Sequence, residues 1–325
     1  MKPLRIAGID ALRGIAVVAM ASYHLSWDLS WFGHVGWQVN QDPTWRIFAG
    51  SIAGTFLFLA GVSLALSHRD GIRWRPFWKR EAVLVAAAAG VSLATYFAFG
   101  NTFVRFGILH AIAASSLIAL PFLRAPALIS FAAALFIGSL PLWASHPAFD
   151  GQLLLWSGLG EPDFGSVDYV PVAPWTGLTL LGLSITKAFG TDQTLARLAA
   201  FGVGRCGRLG NMLVILGKDS LAIYLIHQPL LYGIVWSATA IGLAPERSAN
   251  IFIRDCTQSC AITFGDEDVC HSSCSCTLSS LQEQGVWKPL VDKPEDPDLR
   301  LKLNETYAQC LRATPPATAP SASTD

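Results

Sequence analysis

Residues 9–34 read IDALRGIAVVAMASYHLSWDLSWFGH, an apolar helix with too many polar side chains for a simple anchor. At about 100° per residue, Asp10, Arg13, His24 and Asp28 fall within about 60° of one another on a single helix face. Charge inside a membrane is costly, so such a stripe is expected to face a protein interior or a water-filled cavity. It is the first candidate for a functional surface.

The rest of the chain supplies the membrane. Charged residues make up 14% of the 325 and hydrophobic ones 52%, and the mean hydropathy is +0.43. Apolar runs of about 20 residues, the length that crosses a bilayer, predict further spans at about 47–67, 82–99, 104–123, 126–145, 170–188 and 213–236. The expected fold is all-α, a polytopic transmembrane helix bundle of about seven spans. Acidic and basic residues balance at 23 each, so no nucleic-acid partner is indicated. Lys2, Arg5 and Arg13, with Ala19-Met20-Ala21 as a cleavage site, also fit a signal peptide. Continuation of the apolar run to Phe32 and the spans that follow favour a retained helix. Gly50, Gly54 and Gly61 leave a groove for close helix approach, and Pro121, Pro141 and Pro171 fall near helix ends, where a missing N–H does least harm.

Basic residues cluster at the N-terminus, in 69–80 (Arg69, Arg73, Arg75, Lys79, Arg80), at Arg124 and in 187–218 (Lys187, Arg197, Arg205, Arg208, Lys218), while 145–169 has none. The positive-inside rule then places a multi-pass protein in the cytoplasmic (inner) membrane. Its N-terminus is cytoplasmic, and everything after about Trp236 is extracytoplasmic or periplasmic. Six of the seven cysteines, Cys256, Cys260, Cys270, Cys274, Cys276 and Cys310, lie in that tail, and Cys206 stands apart. An even set on an oxidising side reads as disulfides. The Cys-x3-Cys pairs 256/260 and 270/274 suit a cross-linked helical hairpin, with connectivity left open. A zinc or redox site using His271 is the alternative. Too little apolar content remains there for a separate core. The expected division is 1–240 as membrane bundle, 241–312 as Cys-rich segment and 313–325 as disordered tail.

Five polar positions invite chemistry by themselves. His24 lies eleven residues beyond Arg13, about 16 Å along the axis, and Asp28 one turn later is placed to orient its imidazole; the plainer reading is a mutually satisfied buried pair. Asp10 and Arg13, three residues apart, can simply pair at the interface. His227 precedes Pro229, so a kink-stabilising hydrogen bond competes with a direct role. Trp27, Trp31, Trp37 and Trp45 fit an outer aromatic belt.

The stretch Asp10-x-Leu12-Arg13-Gly14-Ile15-Ala16, followed by His24, resembles the first-helix signature of the transmembrane acyltransferase superfamily. Phe32-Gly33-His34, Arg105-Phe106-Gly107-Ile108-Leu109-His110, Pro171-Val172-Ala173-Pro174-Trp175-Thr176-Gly177 and Tyr224-Leu225-Ile226-His227-Gln228-Pro229 resemble bacterial relatives of heparan-alpha-glucosaminide N-acetyltransferase. The likeness covers about 5–240. It implies transfer of an acyl group, acetyl above all, from cytosolic acetyl-CoA as co-substrate to an amine or hydroxyl of an extracytoplasmic sugar or glycan, with no metal. Histidine then serves as general base or as acyl carrier. His24 follows from the superfamily signature, and His34 from its Phe-Gly-His-x-x-Trp context, which ends at Trp37. Arg13, with Asp10, becomes the candidate for the coenzyme A phosphates. Arg105, His110 and His227 become candidates for the acceptor side. Membrane lipid is the other partner, and since relatives in the superfamily commonly have more spans, a homodimer is a further expectation. The main alternative is a small-solute or proton-coupled transporter with an intramembrane His/Asp/Arg relay, although the spans show no inverted repeat.

Overall fold

The computed structural model describes residues 6–39, 42–161, 165–191, 193–194, 207–241 and 247–313. Lys2, Arg5, Arg197, Arg205, Cys206 and the expected disordered tail from 314 onward lie outside the described residues. The fold is all-α, and the described residues hold no strand beyond one isolated bridge between Phe106 and Tyr169. They divide into two compact units, Met1–His24 with Asn40–Leu230, and Leu25–Val39 with Leu231–Asp325.

The first eight helices are α1 (Ala7–Trp31), α2 (Pro43–Ser67), α3 (Trp74–Phe99), α4 (Ile108–Ala119), α5 (Ala127–Trp143), α6 (Val172–Phe189), α7 (Gly207–Lys218) and α8 (Ser220–Ala240). Three stretches, Pro43–Ser67, Trp74–Thr102 and Ser220–Ala240, are long and apolar enough to cross a membrane; α4 and α5 are apolar but shorter. The expected 104–123 span contracts because Ser92 Oγ donates to the Val104 carbonyl and the Val104 N–H donates to Thr95 Oγ1, which keeps that segment out of the helix. The expected 213–236 span is divided by a turn at Asp219, so its apolar part starts at Ser220. Asp42 caps α2 by accepting the Thr44 N–H at 2.7 Å, with Pro43 in the first turn, where its absent N–H costs nothing.

In the first unit α6 is the central post, packing most extensively on α5 and α2 and also on α4. Small residues make the α2–α6 crossing tight: a Cβ on Gly61 would meet the Thr179 carbonyl, and one on Gly182 the Phe58 carbonyl. Leu57, Leu64, Leu180 and Leu183 are fully buried, and Thr179 Oγ1 donates to the Leu57 carbonyl at 3.2 Å. Gly14 and Gly217 do the same for α1 and α7, facing Leu213 and Asp10 backbone. Val83, Val85, Leu93 and Phe97 of α3, and Leu128, Leu135, Phe136 and Leu142 of α5, are exposed. Water would not favour such an apolar surface, whereas lipid does.

In the second unit α9 (Arg247–Phe264) and α10 (Glu267–Glu283) form a hairpin that turns at Gly265, whose φ is +76°. The Asp266 carboxylate accepts the Val269 N–H at 3.1 Å to start α10. Cys256–Cys274 and Cys260–Cys270 tie the two helices, and Cys276–Cys310 ties α10 to α12 (Pro297–Ala313). The zinc alternative therefore loses its ligand beside His271, since Cys270 is bonded to Cys260. The expectation that this segment lacks a core is corrected: Ala249, Leu278, Leu281, Val286, Trp287 and Leu290 form one, the last two on α11 (Trp287–Asp292). Its apolar residues fall at helical spacing, which a composition argument averages away.

Gly61→Ala should lower the thermal midpoint of the detergent-purified protein by the equivalent of about 1–3 kcal/mol. Gly90→Ala, at a position with open space around it, should leave the midpoint unchanged or higher; equal losses at both positions would contradict the tight crossing. Three disulfides take six of seven cysteines, so denatured, unreduced protein should titrate one thiol per chain, and a count of three or more would contradict this pairing.

Candidate functional site

At its N-terminal end α1 places Arg13 between two partners. One guanidinium nitrogen donates to Asp10 Oδ1 at 2.8 Å, and another donates to the Ser63 hydroxyl of α2. Asp10 is buried, and its second oxygen finds no hydrogen-bond partner among the described residues. Ser63 also lines a cavity of about 190 Å³ at the α2–α3 turn, partly open to solvent, with Ser67, His68, Arg73, Phe77 and Arg80. His68 Nδ1 lies 2.9 Å from the Leu64 carbonyl, so it carries the proton, and its buried Nε2 has no partner among the described residues. Two arginines, two hydroxyls and an uncommitted imidazole nitrogen suit an anion such as a phosphate. Sequence reading counted Arg73 and Arg80 only as topological charges and passed over His68.

Eleven residues along α1, His24 meets His227 of α8 edge to face, with ring centroids 4.9 Å apart. Tyr23 flanks His24 at 5.5 Å and Tyr224 flanks His227 at 5.8 Å. His227 Nδ1 lies 2.8 Å from the Tyr224 carbonyl and 3.1 Å from that of Ile223. Both partners only accept, which fixes the Nδ1–H tautomer. This is the main-chain bond expected one turn before a helix proline, and it leaves Nε2 buried and without a partner among the described residues.

Asp168, which the sequence reading missed, completes this end. Its carboxylate lies near enough to Tyr23 and Tyr224 to act electrostatically on both phenols. Oδ2 accepts the Ile108 N–H at 3.0 Å, covering a free N–H at the start of α4. A side chain at Gly107 would collide with that carboxylate. The strap that carries it is fixed: the Val167 N–H donates to the Thr102 carbonyl, the Val170 N–H donates to the Phe106 carbonyl, and Ser166 Oγ bonds the carbonyls of Phe103 and Asp168. Burial pushes the Asp168 carboxyl up to about 6, against the opposing pull of the Ile108 N–H. Only the tertiary fold brings an acid from the loop before α6 to these helices, so no local spacing announces it.

Other expected residues have different surroundings. Arg105 donates to the carbonyls of Gly165 and Asn101 at 3.1 and 2.7 Å and sits over the Phe103 ring. His110 Nδ1 accepts the Gly107 N–H at 3.3 Å, while Nε2 lies 3.4 Å from Ser92 Oγ. Asp28 and His34 belong to the second unit. There Asp28 is fully buried, and His34 Nε2 lies 3.0 Å from Thr239 Oγ1. Among the described residues no group of three or more His, Cys, Asp or Glu is placed to hold a metal.

A family model described as heparan-alpha-glucosaminide N-acetyltransferase, catalytic, matches residues 5–229. The chain belongs to this family. No curated protein and no solved structure matches it. The family match contains the whole His24, His227, Tyr23, Tyr224 and Asp168 cluster as well as the Arg73/Arg80 cavity, while α9 to α12 lie beyond it. The acetyltransferase family and the apolar helices together make this a membrane protein of acetyltransferase type.

The raised Asp168 value gives the fold a pH dependence of defined sign. The folded state favours the neutral carboxyl, so this group's stabilisation is fully present below its ordinary 3.8 and is lost as pH rises through about 6. Asp168→Asn keeps an oxygen for the Ile108 N–H and removes the charge. Thermal midpoints measured from pH 4 to 7 should therefore fall less steeply in the variant than in the parent, and parallel profiles would contradict the assignment.

Proposed function

We propose that this protein moves an acetyl group from cytosolic acetyl-CoA to an amine or hydroxyl of a sugar or glycan on the far side of the membrane. The observation that carries the reading is the layout of α1. An anion-suited basic cavity adjoins its Arg13 end, and an imidazole cluster surrounds His24, about 16 Å further along the same helix. A nucleotide-linked thioester has that polarity, with charged phosphates at one end and a reactive carbonyl at the end of a long uncharged arm. In this reading Arg73, Arg80 and His68, with Arg13 behind Ser63, hold the phosphates, and the acetyl carbonyl lies toward His24.

Histidine assists attack on the thioester as general base, or accepts the acetyl group transiently. His24 and His34 are the candidates, the latter through its family context, with Asp28 buried on the same helix as His24. The three disulfides support an oxidising compartment for the segment after α8, which agrees with a cytoplasmic N-terminus and an extracytoplasmic tail.

Purified protein given acetyl-CoA and a hexosamine such as glucosamine should release free coenzyme A in proportion to acetylated amine. If His24 or His34 is the base or the acyl carrier, the matching variant, His24→Ala or His34→Ala, should abolish release while the protein stays folded. In intact cells a cysteine replacing the exposed Leu153 should react with a membrane-impermeant thiol reagent, and one replacing Asp70 should not. Normal turnover in both histidine variants would remove them from the chemistry, and reversed labelling would remove the cross-membrane direction. No release at all from well-folded protein would favour the proton-coupled transporter.

A further inference from the structure

The acetyl-transfer reading leaves open which nitrogen receives the acceptor's proton, and the geometry of α8 answers a question that its sequence did not. His227 is 8% exposed. Its Nδ1–H is committed to the carbonyls of Tyr224 and Ile223 at 2.8 and 3.1 Å, so the ring cannot turn without giving up main-chain bonds. Pro229, two residues on, has no N–H to offer the Leu225 carbonyl. This segment of α8 therefore lacks one intrahelical bond, and the imidazole ties it to the preceding turn. What remains is a neutral imidazole whose Nε2 lone pair is buried, oriented, and without a partner among the described residues. An acceptor nitrogen left unpaired in an apolar interior is costly, and a substrate proton would recover that cost.

Resting on the acetyl-transfer reading, we propose that His227 Nε2, in place of His24 and His34, is the general base that receives the acceptor's proton, with His24 as the neighbouring ring that borders the proton's path. The acceptor's lone pair forms a bond to the thioester carbonyl carbon while its proton passes to His227 Nε2. The carbon–sulfur bond then breaks, and the departing coenzyme A thiolate takes that proton from the imidazolium. His227 returns to its neutral Nδ1–H form, coenzyme A leaves as the thiol, and no other reactant is required. With ring centroids 4.9 Å apart, two imidazolium charges would repel strongly, so the pair holds one proton at a time. The Nδ1 bonds assign it to His227: the main-chain carbonyls stabilise the imidazolium by accepting from the nitrogen opposite the one that receives the proton.

His227→Asn separates this role from a structural one, because its amide N–H replaces Nδ1–H toward the carbonyls and nothing replaces Nε2. Full-length protein in lipid nanodiscs would be assayed for coenzyme A release from acetyl-CoA with two acceptors. Glucosamine needs its proton removed during attack, whereas hydroxylamine is a strong nucleophile that depends little on a base. Release with glucosamine should fall about 100-fold or more in His227→Asn, release with hydroxylamine should stay within a few-fold of the parent, and added imidazole should restore part of the glucosamine rate in His227→Gly. Equal loss with both acceptors would make His227 a structural residue and overturn the inference, as would an undiminished glucosamine rate. A parent protein that releases no coenzyme A with glucosamine overturns the acetyl-transfer reading itself, and this inference with it.

Discussion

A charge placed in an apolar helix has to be answered by something within reach, and in α1 Arg13 is answered twice. Asp10 supplies a counter-charge one turn back, and Ser63 supplies a hydroxyl from α2. Removing Asp10 would take the counter-charge from a cation in a medium that solvates it poorly, a larger cost than the pair's net worth. The same bonds set what lies around them. Ser63 is held by the guanidinium and by its own bond to the Leu59 carbonyl, so one wall of the basic cavity is fixed by the group that balances Asp10. Gly14 and Gly217 let α7 approach α1 backbone to backbone beside it, and a larger residue at either would push the helices apart.

The far end obeys the same constraint with different groups. A helix as short as α4 still has four unbonded N–H groups in its first turn, and Gly107 has no side chain with which to cap them. His110 accepts the Gly107 N–H from inside the helix and Asp168 accepts the Ile108 N–H from the strap outside it. The carboxylate that starts α4 is thereby also set beside Tyr23 and Tyr224. A structural need and the polarity of the imidazole cluster are met by one side chain, so loss of Asp168 acts on both.

Sequence reading recovered the strongest signals written along a single helix. The stripe on α1, the glycines of α2 and the pairing of two Cys-x3-Cys motifs are periodic signals, and each has its counterpart in the Arg13 pair, the Gly61 crossing and the tied hairpin of α9 and α10. What it missed crosses between elements. Asp168 reaches helices that no spacing links to it, and Arg73 and Arg80 acquire a binding character only when Ser63, Ser67 and His68 close a cavity around them. The limits of α4 were also illegible, because hydrogen bonds with Ser92 and Thr95 on α3 hold Val104 in a non-helical segment that its apolar composition alone would extend as helix. The small core around Trp287 was overlooked for the opposite reason, since its pattern is local but its composition is dilute.

His227 shows how a plain structural role and a chemical one coincide instead of competing. A histidine that stabilises a proline-bearing helix does so through one nitrogen, and main-chain carbonyls, being acceptors only, dictate that this nitrogen keeps its proton. The other nitrogen is then a base by necessity. Whether that base matters depends on where it lies, and here it is buried, faces no partner among the described residues, and is edge to face with the ring from the signature stripe of α1. A serine or asparagine before Pro229 would also bond the preceding turn, but neither would leave a basic lone pair behind. The residue type required by the proline-bearing turn alone is broad, and the residue type required by that turn together with the free nitrogen is histidine.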